Sequence, residues 1–516
     1  MKFLNLTALI IAFSITLSAG ADDIGANVSL TTGEWLYFAL WKLEANGFTG
    51  PIFASSRPFE RNEIARIVAN MREKIELGQL DPRPHELRLI EKLEAEFSRD
   101  LKPEGVDLRS TLAGETVYQD EWDTPSASFW TGASYHPTPG VTLYEEFEIA
   151  KDRQTIGTEG KTASRRINTW RWDYTANFRQ AYMLFRREPF GVLIGRQPIF
   201  WGPSFDGSLI ISDESPAFDM ILLNARFGPV KAVAFAALLD KKYNRVREDH
   251  NYLANRYLTG HRIDWAVNSR IELGLSEVIL YGGEARDMEL QYMNPLLPYY
   301  ANQWNANEDE SVVVDDNVLI CADFAIRPID RLKIYGQFLV DDFNYSKGTS
   351  KDPDALGYIA GLYLSDPLGL SGMDFRAEYA RIDSYTYTHL VPENQFTHYG
   401  WIIGHHLGPD ADQILLELSR MIKLDGRIKL TYALERQGSR TVKERFVDED
   451  YENMGFPSGE VERQHEFGLQ FLWEPIRGPR LNVSLRRLLI SNQNDEEWKN
   501  EISISAGFLV GIRRPT

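Results

Sequence analysis

Residues 191–223 read GVLIGRQPIFWGPSFDGSLIISDESPAFDMILL. Apolar runs that half alternate stand at both ends, and a loop of Trp, Gly, Pro, Asp and Ser lies between them. Trp201, flanked by Phe200 and Gly202-Pro203, is costly to leave in water unless something covers it or uses it. The flanks read as two strands of one large sheet. The whole stretch reads as a hairpin of a membrane barrel, with its loop held near the mouth.

Outward from this hairpin the same period persists. From Val106 on, hydrophobicity repeats every second residue. Near the end, Ile502, Ile504, Ala506, Phe508, Val510 and Ile512 alternate with Ser503, Ser505, Gly507, Leu509, Gly511 and Arg513. Runs of about ten to fourteen residues are the length a tilted strand needs to cross a bilayer. Soluble sheets use strands of roughly five or six. Candidate strands include 106–119, 127–138, 190–199, 219–228, 230–240, 256–268 and 501–513, and short turns alternate with long loops between them. The segment 398–408, HYGWIIGHHLG, would break that rhythm as a strand. Read as part of a long loop from 385 to 411, it leaves eighteen strands. Its glycines and its adjacent histidines suit a loop better than a lipid-facing sheet. The expectation is a mainly β protein: an 18-stranded antiparallel transmembrane β-barrel over 105–516, behind a small N-terminal helical bundle.

That bundle is expected within 22–104. Gly33 to Asn46 and Pro58 to Leu77 carry apolar residues at helical spacing. Asp81-Pro82 reads as the start of a third helix with stripe Leu87, Ile90, Leu93 and Phe97. An even strand number puts both barrel ends on the periplasmic side, where the bundle would plug the opening. Residues 1–21 read as a signal peptide, with Lys2, an apolar run from Leu4 to Leu17, and a small-residue cleavage site at Ala19-Gly20-Ala21.

The net charge of −18 offers no basic field for nucleic acid. A single cysteine, Cys321, rules out an internal disulfide and a cysteine zinc cage. No metal or other cofactor is expected. His405 and His406, adjacent, would face opposite ways on a strand.

The segment 195–220, GRQPIFWGPSFDGSLIISDESPAFDM, resembles the Wzi capsule-assembly family of outer-membrane proteins. So do YLTGHRIDW at 257–265, LGLSEVILYGG at 273–283, YMNPLLPYY at 292–300, DDNVLICADF at 315–324 and GHHLGPDADQ at 404–413, in order. The resemblance implies an eighteen-stranded barrel with a periplasmic helical plug in the cell outer membrane. It implies binding of capsular or related polysaccharide (an exopolysaccharide) as a lectin, not an enzyme. The expected surroundings are outer-membrane lipid and the barrel-assembly machinery. One departure from the pattern is the final GIRRPT, which puts the last aromatic at Phe508.

A lectin needs an aromatic platform beside groups that donate and accept hydrogen bonds. The candidates are Arg196, Trp201, Asp206 and Asp213 in the hairpin, and Tyr299, Tyr300 and Trp304 in the longest loop. Arg179, Arg196, Arg262, Asp264 and Asp323 read as inward-facing charges that cross-link the lumen. That parity sends His261 outward, which calls for a rim position or a bulge. Alternative readings are a diffusion channel for sugars, a tether from outer membrane to cell wall through the helical module, and a hydrolase with Asp213 and Asp219 as its acid pair.

Overall fold

The computed structural model describes residues 34–101, 105–119, 122–151, 174–247, 250–301, 316–342, 353–423, 425–444, 455–475, 479–492 and 496–514. The expected leader at 1–21 and Trp304 lie outside the described residues.

Past Leu101 the chain forms one antiparallel sheet that closes on itself. Its first half comprises β1 Gly105–Gln119, β2 Trp122–Thr138, β3 Val141–Lys151, β4 Tyr174–Arg187, β5 Phe190–Gln197, β6 Phe218–Phe227, β7 Val230–Leu238, β8 His250–Asn268 and β9 Ile271–Glu284. The second half comprises β10 Asn317–Ile329, β11 Leu332–Asp342, β12 Ala355–Ser365, β13 Met373–Ile382, β14 Ala411–Ile422, β15 Gly426–Gln437, β16 Glu462–Trp473, β17 Pro479–Ser491 and β18 Glu496–Arg514. Each strand pairs with the next. β1 pairs with β18 from Val106 opposite Arg514 to Gln119 opposite Glu501, so the ladder has no free edge. Beyond Leu238 the β7 ladder breaks, then resumes as Lys242–Arg247 against the same side of β8. The nineteen ladder segments therefore occupy eighteen positions round the cylinder.

Alternation sorts the side chains by face. Ile263, Trp265, Leu275, Phe338, Leu430 and Ile504 are exposed on the outside, whereas Arg262, Asp264, Ser276, Asp323, Gln337 and Glu378 are buried within. Apolar rows outside and polar rows inside are the pattern of a sheet that lipid surrounds. Three strands start earlier than the alternation predicts: β2 at Trp122, β8 at His250 and β18 at Glu496. Towards the long-loop end the backbone ladder continues past the apolar rows, where nothing requires the outer row to stay apolar. KYNRVR at 242–247 is such a piece, in a stretch expected to be loop. Segment 398–408 is indeed loop, with only Thr397–His398 paired to Trp401–Ile402.

Three helices precede the barrel: α1 Glu34–Ala45, α2 Arg61–Glu76 and α3 Pro84–Phe97. The third starts later than expected. Pro84, not Pro82, opens it, and the Arg83 backbone N–H donates to Glu86 Oε2 at 2.7 Å in place of a cap by Asp81. α1 is buried on every side rather than along one stripe, because it lies inside the lumen. Trp41 meets Phe205, Tyr335 and Tyr363 edge-on, at 4.0, 5.4 and 6.2 Å between ring centroids. Lys42 donates to Ser365 Oγ at 2.8 Å and to Asp374 Oδ1 at 2.5 Å. α2 and α3 pack together through Arg61 and Glu96, 2.7 Å apart, and lie across the short-turn end. There Arg66 reaches Glu188 at 3.0 Å, Arg83 reaches Asp366 at 2.7 Å, Arg88 grips Asp425 with two bonds of 2.7 Å, and Lys92 donates to the Glu474 carbonyl at 2.6 Å.

Candidate functional site

The hairpin loop of residues 198–217 folds into the barrel. Its turn back is pinned by the plug segment before α2: Ser56–Arg57 pairs with Phe200–Trp201, and Gly202 N–H donates to the Ser55 carbonyl at 2.8 Å. The Arg57 guanidinium sits 3.9 Å from the centroid of the Phe200 ring and donates to the carbonyls of Gly202 and Ser204 at 3.0 and 2.6 Å. Gly202 has φ +154°, and a Cβ there would lie 2.3 Å from Gln337 Nε2, so only glycine lets the loop approach β11 this closely. Trp201 is 1% exposed and edge-on to Phe235, 5.3 Å between centroids. The cover that its indole needs comes from the barrel's own side chains.

The other candidates fall in different places. Asp213 is half-buried and close enough to act electrostatically on Arg57. Asp206 lies 3.7 Å from His406 Nε2 and lines a luminal cavity of about 410 Å³ with Arg376, Lys429 and Arg486. Arg196 does not face the lumen. It continues the outward row of Phe190 and Ile194 and makes a two-point bond to Asp219, at 2.8 and 2.6 Å, on the outer rim. Asp219 is thereby committed to Arg196 outside, while Asp213 lies within, so the two do not form an acid pair over a shared cleft. The aromatic loop after β9 lies outside too. Tyr299 is 1% exposed, 4.5 Å from the outward-facing His261 ring, and Tyr300 projects beside it. His261 faces outward in an unbroken ladder, with no bulge between Tyr257 and Trp265. The inward charges Arg262, Asp264 and Asp323 do meet in the lumen. Arg179 sits at a register shift between β3 and β4, 3.3 Å from Glu146.

Sequence reasoning missed a cluster at the rim, where the 383–410 loop crosses the break in β7. Arg256 is buried there and donates to the carbonyls of Gln395 and Thr397, at 2.9 and 2.7 Å, and to Asp240 Oδ1 at 2.9 Å. Asp240 also accepts from the Tyr399 backbone N–H at 2.8 Å and meets His398 Nδ1 at 3.2 Å. Tyr399 holds φ +50°, which that contact helps fix, and the residue stays 45% exposed near Arg196 and Asp219. Burial alone would raise the Asp240 carboxyl, but His398, the Tyr399 N–H and Arg256 outweigh it and hold Asp240 below the usual carboxylate range. Lys242 donates to the Pro392 carbonyl and Gln395 Oε1 at 3.1 and 3.2 Å. Burial and the Arg256 charge bring its ammonium down to about 7. The folded state therefore sheds this proton at a lower pH than the unfolded chain does. Stability should rise between that pH and the ordinary lysine range, because there only the unfolded chain binds the proton. Unfolding midpoints across pH 7 to 10 (roughly the interval between the shifted and ordinary lysine values) should climb, and Lys242→Met should remove that part of the climb.

The description of one family model, capsule assembly protein Wzi, fits this chain over residues 114–501. The chain belongs to the Wzi family. Wzi of Escherichia coli, described as an outer-membrane protein involved in group 1 capsule assembly and as a carbohydrate-binding β-barrel, superposes with a TM-score of 0.61 at 17% identity, covering 97% of this chain and 99% of that one. Two Pseudomonas aeruginosa proteins, the second described as an outer-membrane protein, are more distant. OccD3 has 11% identity and a TM-score of 0.48 over 80% of this chain and 92% of its own; OpdK has 12% and 0.46 over 79% and 99%. No curated protein matches in sequence. This Wzi-family chain is an outer-membrane barrel.

Proposed function

We propose that this barrel binds capsular or a related polysaccharide at the cell surface and helps hold it there, as a lectin without chemistry on the sugar. The observation that carries the reading is what occupies the cylinder. α1 enters from the short-turn end, the 198–217 and 383–410 loops enter from the other, and their buried aromatic residues form one core with the wall. A barrel whose bore is largely occupied by its own chain, among the described residues, suits holding a ligand at its mouth better than passing one through. The E. coli relative is described as carbohydrate-binding, which supports the same class of ligand. On this reading the bundle is a periplasmic plug. The basic side chains of α2 and α3 that reach the turns are engaged with the barrel, which supports a plug over a cell-wall tether. Outer-membrane lipid bathes the apolar rows, and the barrel-assembly machinery inserts them.

The sugar platform we favour is Tyr399 with Arg196, Asp219 and Asp240 around it: an exposed ring for the apolar face of a saccharide, and fixed charges for its hydroxyls. Tyr399→Ala should weaken binding of purified capsular polysaccharide roughly two- to thirteen-fold, the loss of about 0.5–1.5 kcal/mol of stacking. Titration of the polysaccharide against the protein in detergent measures this. No binding by the wild type to any capsular polysaccharide of its own host would refute the proposal.

A further inference from the structure

Residues 285–300, between β9 and the stretch before β10, form a strap on the outer wall of the barrel. Its inner face is aromatic. Tyr292 and Tyr299 pack on Tyr257, Ile279, Tyr281 and Val318, all outward-facing wall residues. Beneath it His261 Nε2 meets Glu277 at 3.0 Å, a polar pair on the face where apolar rows begin just below, at Ile263, Trp265 and Leu275. At the strap's start, Arg286 pairs with Asp316, and the Tyr292 hydroxyl donates to Asp316 Oδ2 at 2.9 Å.

The backbone of this strap is arranged as if water were scarce. Tyr299 and Tyr300 N–H both donate to the Glu277 carboxylate, at 2.9 and 2.8 Å. The N–H groups of Tyr292, Met293, Asn294 and Leu297 bond within the strap, and that of Leu296 bonds to Asn294 Oδ1 at 3.1 Å. The two remaining residues between Tyr292 and Tyr300 are Pro295 and Pro298, which have no N–H to satisfy. From Tyr292 to Tyr300 every backbone donor is thus either paired or absent. A segment lying at the edge of the apolar rows, where water is scarcer, gains from having no unpaired donor, whereas one in water does not need that. Yet the strap's outer face is greasy: Leu290 is 82% exposed and Leu296 86%, with Leu297 and Tyr300 half open beside them.

We infer that the strap is a membrane-interface anchor: Leu290, Leu296 and Leu297 enter the acyl chains of the outer leaflet, and Tyr300 lies at headgroup level. The occupant is lipid because this surface is continuous with the lipid-facing rows directly below it. Interfacial segments of this make, apolar outward with their N–H donors satisfied, lie along the headgroup boundary rather than crossing the bilayer. The Glu277 carboxylate then serves as the strap's clasp, which gives a charged residue on an outward row a purpose.

Spin labels on the full-length protein in lipid vesicles test this. Cys321 is wholly buried, so the unmutated chain sets the background. A label at Leu296→Cys should collide with oxygen in preference to a water-soluble nickel complex, matching Leu275→Cys on the wall. A label at Leu77→Cys on the helical bundle should show the reverse. Adding Glu277→Ala should open the clasp and shift the Leu296→Cys label toward the Leu77→Cys pattern while the barrel stays folded. A Leu296→Cys label that reads like Leu77→Cys in the parent chain would overturn the inference. So would one shielded from both reagents, which would mean a second copy or another protein covers the strap.

Discussion

Arg262→Ala should lower the stability of the barrel by about 3–5 kcal/mol, read as a fall in the unfolding midpoint of the detergent-solubilised protein. Arg262 and Asp264 on β8 and Asp323 on β10 converge in the lumen. Nε and Nη2 of the arginine donate to Asp264 Oδ1 at 2.9 and 2.6 Å, and Nη1 and Nη2 donate to the two Asp323 oxygens at 2.6 and 3.0 Å. Asp264 accepts a further bond of 2.5 Å from Ser56 in the plug. On β9, between them, stands Gly274, where a Cβ would fall 2.2 Å from Arg262 Nη2; the glycine makes the space the guanidinium fills. Three strands and the plug thus share one buried charge cluster. Truncating the arginine leaves two carboxylates buried with no cation between them, and that desolvation cost dominates. The triple variant Arg262→Leu with Asp264→Asn and Asp323→Asn should recover much of the loss. A loss below about 1 kcal/mol for Arg262→Ala would mean that the cluster is wet and screened, in the range of surface pairs.

Lys42→Met should free α1 from the wall at a comparable cost, about 3–5 kcal/mol for breaking a buried pair. The lysine is fully buried. Its partner Asp374 is also bonded by the Tyr363 hydroxyl at 2.7 Å, while Asp366 keeps Arg83 and the Gly372 N–H. The stem that methionine retains preserves packing, so the change isolates the charge. Because Asp374 belongs to the closed sheet and Lys42 does not, the expected outcome is selective: residues 34–101 become susceptible to protease while the barrel keeps its resistance. Lys42→Met with Asp374→Asn should restore part of the protection. Unchanged protection in Lys42→Met would show that Trp41 and its aromatic neighbours hold the plug unaided.

Much of this was legible in the sequence, and for physical reasons. A strand with one apolar and one polar face must alternate, so the period-two rows located the strands, and the alternation of short turns with long loops removed 398–408 and left eighteen. The lumen triad followed from the same parity. Arg196 was misplaced although its signal was present: Phe190, Val192, Ile194 and Arg196 share one row, and a charge ending an apolar outward row marks where lipid stops. The loops were not legible in this way. YMNPLLPYY states that its aromatics need cover, but nothing in its period says whether the lumen, the mouth or the outer wall supplies it. Trp201 and Tyr299 illustrate the difference, one covered within and one without. Tyr399 escaped notice because its platform is assembled by Asp240, 159 residues away, on a break in a strand that the apolar pattern ran straight through.

On this reading the barrel is a holder of polysaccharide whose bore is largely occupied by its own chain. Current across a planar bilayer containing the full-length protein tests that most directly. The occupied bore predicts no steady conductance above the bare membrane. Stable, large, open-channel steps from the unmodified protein would contradict it and make the molecule a conduit.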